Sequence, residues 1–113
     1  MKKIEAIIKP SKLSNVKDAL HEIGLSGMTV SDVKGFGRQR GQDGGLNSSP
    51  DYDDEFRVKI KIELIIEDKL VEKALEAIKN AAYSGKIGDG KIFVTPIDGA
   101  VRIRTYERDE GAI

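Results

Sequence analysis

The chain contains no cysteine, no tryptophan, three prolines and a single histidine in 113 residues. Without cysteine there are no disulfides, no thiolate metal sites and no thiol nucleophile. One imidazole is too few for a metal centre or a triad built on histidine. No apolar run approaches the ~18 residues of a membrane span, and the N-terminus enters an alternating pattern directly, without the profile of a signal peptide. Lysine plus arginine equals aspartate plus glutamate at 19 each, so the formal net charge is zero. No global field then draws the chain to nucleic acid or an acidic membrane, and with aromatics at 5% the stacking platform of a nucleic-acid binder is missing. The expectation is one soluble, cytoplasmic domain.

What is present is a strong alternation of apolar periods. Lys2 to Lys9 reads as a strand with Ile4, Ala6 and Ile8 on one face. Pro10 and Ser11 start a helix whose stripe is Leu13, Val16, Leu20 and Ile23, with Gly24 suited to its C-terminal cap. His21 lies off that stripe and reads as a solvated helix residue. Met28 to Lys34 returns to strand character, with Met28, Val30 and Val33 apolar. A polar stretch from Gly35 to Glu55 follows, with five glycines in its first eleven positions, and its length points to a functional or a disordered loop. Phe56 to Ile66 is the strongest strand: Val58, Ile60, Ile62, Leu64 and Ile66 form one face, and Arg57, Lys59, Lys61 and Glu63 the other. Asp68 is placed to cap a second helix through Ala82, whose apolar stripe is Leu70 or Val71, then Ala74, Leu75, Ile78, Ala81 and Ala82. Ile92 to Thr95 reads as a strand, Pro96 to Gly99 as a turn, and Ala100 to Thr105 as a short last strand; the tail, 106–113, is charged and expected to be mobile.

This order, two β-α-β halves joined by a long loop, predicts an α+β ferredoxin-like βαββαβ domain over 1–113, with a short C-terminal strand. Both helices would cover one sheet face. The other face, partly apolar, would be hidden by association with further copies.

The helix-to-strand junction Ser84-Gly85-Lys86-Ile87-Gly88-Asp89-Gly90-Lys91 carries the chemistry. Gly88 and Gly90 permit positive φ and expose bare N–H groups, and Lys91 adds positive charge, which together suit a phosphate. Gly85 to Lys91 spells the start of a Walker loop, but Ile92 stands where Ser or Thr must hold magnesium. A Walker loop also follows a strand and opens a helix, the reverse of this order. Three further features favour an anion: Arg38 after Gly35 and Gly37, Lys59 or Lys61, and Arg102 with Arg104. On one strand face the last two would sit about 7 Å apart. No nucleophile–base pair accompanies them, so a binding protein rather than an enzyme is expected.

In these same segments the chain resembles the PII signal-transduction proteins of nitrogen regulation. The resemblance lies in Met1 to Pro10, Gly27-Met28-Thr29-Val30, Val33 to Gln39, Lys61-Ile62-Glu63, Ser84 to Val94 and Val101 to Thr105, with Gln42 to Arg57 outside it. It implies a homotrimer with ATP or ADP in each cleft between subunits. One subunit would contribute Gly35, Gly37, Arg38, Gly88, Asp89, Gly90 and Lys91, and its neighbour Thr29, Glu63, Arg102 and Arg104. Gln39 would help coordinate a Mg2+ ion on ATP, and 2-oxoglutarate would bind that ion beside Lys59. The long loop, the T-loop of the family (36–56), would change shape with these ligands and dock onto target proteins: ammonium transporters, metabolic enzymes or regulators.

The loop departs from the family pattern. Leu46-Asn47-Ser48-Ser49-Pro50-Asp51-Tyr52 replaces a tyrosine-arginine-glycine-alanine-glutamate-tyrosine run. Tyr52 falls where the uridylylated tyrosine sits and is the candidate modification site, with Ser48 and Ser49 near a serine phosphorylated in some relatives. The channel-plugging arginine has no counterpart, Val58 replaces a usual proline, and Tyr106 a usual glycine. Alternatives are a divergent branch sensing adenine nucleotides with another small molecule, such as bicarbonate, in carbon or transport metabolism; a slow nucleotide hydrolase using Glu63 or Asp89; and a ferredoxin-like amino-acid-binding module.

Overall fold

The computed structural model describes residues 1–37 and 56–113. Its elements run β1 (Lys2–Ile8), α1 (Leu13–Glu22), β2 (Thr29–Phe36), β3 (Phe56–Ile66), α2 (Val71–Ala82) and β4 (Gly90–Pro96). The sheet order is β2-β3-β1-β4, with every neighbouring pair antiparallel. This is the expected ferredoxin-like arrangement.

Register explains the layering. Ile4 and Ala6 of β1 lie opposite Leu64 and Ile62 of β3 and opposite Val94 and Ile92 of β4. These pairs share a face, and that face meets Val16 and Leu20 of α1 and Ala74 and Ile78 of α2 in one buried cluster. Each large aliphatic side chain buried there contributes about 1.5–3 kcal/mol. The opposite face carries Glu5, Ile7, Lys61, Glu63, Lys91 and Phe93, and among the described residues no helix lies above it.

Helix ends follow local chemistry. α1 stops in a Schellman motif: Gly24 has φ +89°, its N–H donates to the His21 carbonyl, and the Leu25 N–H donates to the Leu20 carbonyl. Each helix is preceded by a single 3₁₀ turn, Pro10–Lys12 or Asp68–Leu70.

Three details differ from the sequence expectation. Asp68 makes no side-chain cap; its carboxylate pairs instead with the Met1 amino group at 2.9 Å and Lys2 at 3.2 Å. Val58 is 58% exposed, because the β2–β3 hairpin extends past the buried cluster and leaves Val58 beside the exposed ring pair Phe36–Phe56. The short C-terminal strand is absent among the described residues. Val101 forms one isolated bridge with Arg108, the Tyr106 N–H donates to the Arg102 carbonyl, and Tyr106 adopts φ +62°. The tail is also folded back rather than loose: the Asp109 N–H reaches the Ala100 carbonyl, and Asp109–Ala112 forms a 3₁₀ turn. Ile103 is 97% exposed, so the alternation of Val101 and Ile103 with Arg102 and Arg104 finds no buried face among the described residues.

Candidate functional site

The loop between α2 and β4 is built around the Asp89 carboxylate. It accepts hydrogen bonds from the backbone N–H groups of Ser84 (2.8 Å) and Gly85 (2.9 Å) and from the Ser84 hydroxyl, and Lys9 lies 3.2 Å away. Lys9 also donates to the Ser84 hydroxyl at 3.1 Å. These donors, led by the Ser84 hydroxyl, hold the Asp89 carboxyl well below the usual carboxylate range. The Asp89 side chain thus folds the loop, and Asp89, expected among the ligand-binding residues, also lines the adjoining cavity.

Gly90 is where the loop joins the sheet. Its φ is +107°, and a Cβ there would stand 1.7 Å from the Ile7 carbonyl oxygen, so only glycine fits. Gly88 also has positive φ, +101°. Lys59 then fastens the loop to β3, donating to the Gly88 carbonyl at 2.8 Å. The residue is 92% buried by its surroundings, leaving 8% exposed. Burial, joined by the positive charges of Lys9 and Arg57 and opposed by Asp89, pushes its ammonium below the ordinary lysine value.

These contacts frame a cavity of about 560 Å³ on the uncovered sheet face. Its walls include Gly35 and Gly37 from the end of β2, Lys59 from β3, and Gly88, Gly90 and Lys91 from the loop and β4. Residues distant in sequence are thus brought together as expected. Arg57 and Lys86 add positive charge, and Ile7, Ile87 and Phe93 supply apolar wall. Sequence reasoning missed these, together with the Lys9–Ser84–Asp89 clasp. The signal was sheet register: Lys91 lies opposite Ile7, and Gly90 opposite Ile8 just before Lys9. A cavity with several cations, bare glycine backbone and its one acid already engaged is suited to a multiply charged anion.

The remaining predicted residues are elsewhere. Thr29 and Glu63 face each other across β2 and β3. Six residues of extended chain separate Thr29 from Gly35, roughly 20 Å. Arg102 and Arg104 do not share a strand face; they lie in the C-terminal turns, with Arg102 3.7 Å from Glu107. Arg38, Gln39, Ser48, Ser49 and Tyr52 lie outside the described residues. Among the described residues, no group of three or more His, Cys, Asp or Glu side chains could hold a metal ion. No described helix is long and apolar enough to cross a membrane.

The family model for nitrogen regulatory protein P-II matches residues 1–107. The chain belongs to the P-II family. Nitrogen regulatory protein P-II of Rhodospirillum rubrum is 62% identical, and that of Azospirillum brasilense 58%, each over the full length of both chains. The crystal structure of Arabidopsis thaliana PII bound to citrate aligns with a TM-score of 0.80 at 40% identity, covering 98% of this chain and 87% of that one. The Rhodospirillum rubrum and Azospirillum brasilense relatives are both named as regulatory proteins.

Proposed function

We propose that this chain is a non-catalytic signal-transduction protein that binds ATP or ADP between the subunits of a homotrimer and regulates target proteins of nitrogen metabolism through its T-loop. The observation that carries this reading is the cationic cavity beneath the Gly88–Gly90 loop, where Gly35, Gly37, Lys59 and Lys91 meet. It supplies the phosphate half of a nucleotide site. Thr29, Glu63, Arg102 and Arg104 would supply the other half from a neighbouring copy. With about 20 Å between Thr29 and Gly35, both halves serve one nucleotide when they come from different copies.

Lys59 is the residue for 2-oxoglutarate. Its ammonium already donates to a carbonyl at the cavity wall, and a dicarboxylate offers it a stronger, charge-assisted acceptor. Magnesium fits this site as a passenger on phosphate oxygens, the usual mode for this ion. The cavity's charged side chains are cationic apart from Asp89, which is engaged, so the polyphosphate and Gln39 would provide the metal's oxygens. Bound magnesium would offer 2-oxoglutarate open coordination positions beside Lys59.

Calorimetric titration with Mg-ATP and Mg-ADP, followed by 2-oxoglutarate and then bicarbonate, tests the assignment. Tight nucleotide binding with 2-oxoglutarate binding only alongside Mg-ATP is the expected result. Tight nucleotide binding with bicarbonate and no 2-oxoglutarate would assign the chain to carbon or transport metabolism. No nucleotide binding would refute the site itself.

A further inference from the structure

Lys9 stands where β1 ends beside the helix-to-strand loop. Its neighbour Ile8 pairs with Gly90, the first residue of β4. Pro10 restricts the residue before it to extended backbone, and Lys9 has φ −67° and ψ 140°. It therefore continues the alternation of β1, on the side of Glu5 and Ile7. Its ammonium lies 3.2 Å from Asp89 Oδ1 and donates to the Ser84 hydroxyl at 3.1 Å. The other oxygen, Oδ2, accepts from the backbone N–H groups of Ser84 and Gly85. The two side chains are 21% and 22% exposed, so water and salt screen their charges incompletely.

Asp89 is the acidic side chain in the wall of the cavity, beside Lys59, Lys86 and Lys91. The Ser84 and Gly85 donors are neutral and leave its charge in place; among the described residues it is Lys9 that pairs with that charge. Lys9 is not part of the wall and acts through Asp89. The reach of its charge is visible at Lys59, where burial is the largest cause holding the ammonium below its ordinary value and Lys9 the next.

We propose that Lys9 is a positioning residue for anion binding: it cancels the Asp89 charge at the cavity wall, so that the carboxylate folds the loop without repelling the anion the loop receives. This rests on the anion-binding part of the reading above and adds how a site for a multiply charged ligand tolerates an acid. The loop needs a carboxylate because one ionised group takes several donors at once, here two backbone N–H groups and a hydroxyl. The same carboxylate puts a negative charge beside Lys91 and the Gly88–Gly90 backbone. Without Lys9 that charge meets the ligand unopposed.

The test titrates ATP by calorimetry, at low and at high salt, into the wild-type chain, Lys9→Gln, Lys9→Arg and the double variant Lys9→Gln/Asp89→Asn. Glutamine can still donate to Ser84 but carries no charge. At low salt Lys9→Gln should bind ATP roughly fivefold or more weakly than wild type, the scale of one uncompensated charge at a partly exposed site. That gap should shrink at high salt, and Lys9→Arg should bind close to the wild type. The double variant should bind ATP more tightly than Lys9→Gln, although its loop has lost an ionised acceptor. Unchanged affinity in Lys9→Gln, a gap of equal size at both salts, or a double variant no better than Lys9→Gln overturns the proposal while leaving the anion site intact. Failure of the wild type to bind ATP removes the underlying site and this inference with it.

Discussion

Lys59 donates to the Gly88 carbonyl across 2.8 Å, and through that bond the third strand holds down the loop that precedes the fourth. The bond joins a buried lysine to a glycine of positive φ, +101°, at the wall of the cationic cavity. A lysine in that position is shared between the fold and any anion that enters.

Replacing Lys59 with methionine separates those two roles. The stem over Gly35 is retained and the charge is lost. Stability is expected to change by less than about 1 kcal/mol, because losing one hydrogen bond is offset by no longer burying an ammonium. Affinity for 2-oxoglutarate in the presence of Mg-ATP should fall at least tenfold, about 1.4 kcal/mol. Urea unfolding and calorimetry read the two effects; a collapse in stability with normal ligand binding would make Lys59 a structural prop.

Gly90→Ala should be destabilising by about 2–3 kcal/mol, since the backbone is in a region that suits glycine and the added carbon collides with the Ile7 carbonyl. The collision is with backbone, so a side-chain rotation does not relieve it. Thermal and urea unfolding measure the loss, and near-wild-type stability would show that β4 shifts freely against β1.

Asp89→Asn carries a pH signature. The folded carboxyl is held below its unfolded value, so the stabilisation is complete above about pH 4 and is lost as pH falls from there through the folded value. The variant should thus be clearly less stable than wild type at pH 7, and the gap should narrow steadily below about pH 4. Unfolding curves at several pH values suffice. A gap of constant size would mean that the charge on Asp89 does not hold the loop.

How far the sequence could be read depended on whether a residue's partners were local in pattern. The period-two runs of β1 and β3 and the period-3.6 stripes of α1 and α2 named the core almost residue by residue, because one buried face selects apolar side chains regularly. The gathering of Gly35, Lys59, Gly88 and Lys91 was also anticipated, through glycines, charge and resemblance. Lys9 was invisible, since its contact with Asp89 depends on the β1–β4 register. Asp68 looked like a cap, but the nearby Met1 amino group and Lys2 offered stronger partners. Val101 and Ile103 imitated a strand by alternating with Arg102 and Arg104, yet alternation makes a strand only where a sheet edge receives it, and the turn closed by Arg102 and Glu107 prevailed.

The central claim is that one nucleotide site is assembled from two copies of the chain. Lys91→Ala and Arg102→Ala chains, each expected to bind ATP at least tenfold more weakly (about 1.4 kcal/mol), should be unfolded together, mixed in equal amounts, refolded and titrated with ATP. If the site is shared, random mixing restores wild-type affinity at roughly a quarter of the sites, those with intact Lys91 from one subunit and intact Arg102 from the next. If mixing restores no sites, although each chain refolds and associates, Lys91 and Arg102 do not meet across an interface and the account is wrong.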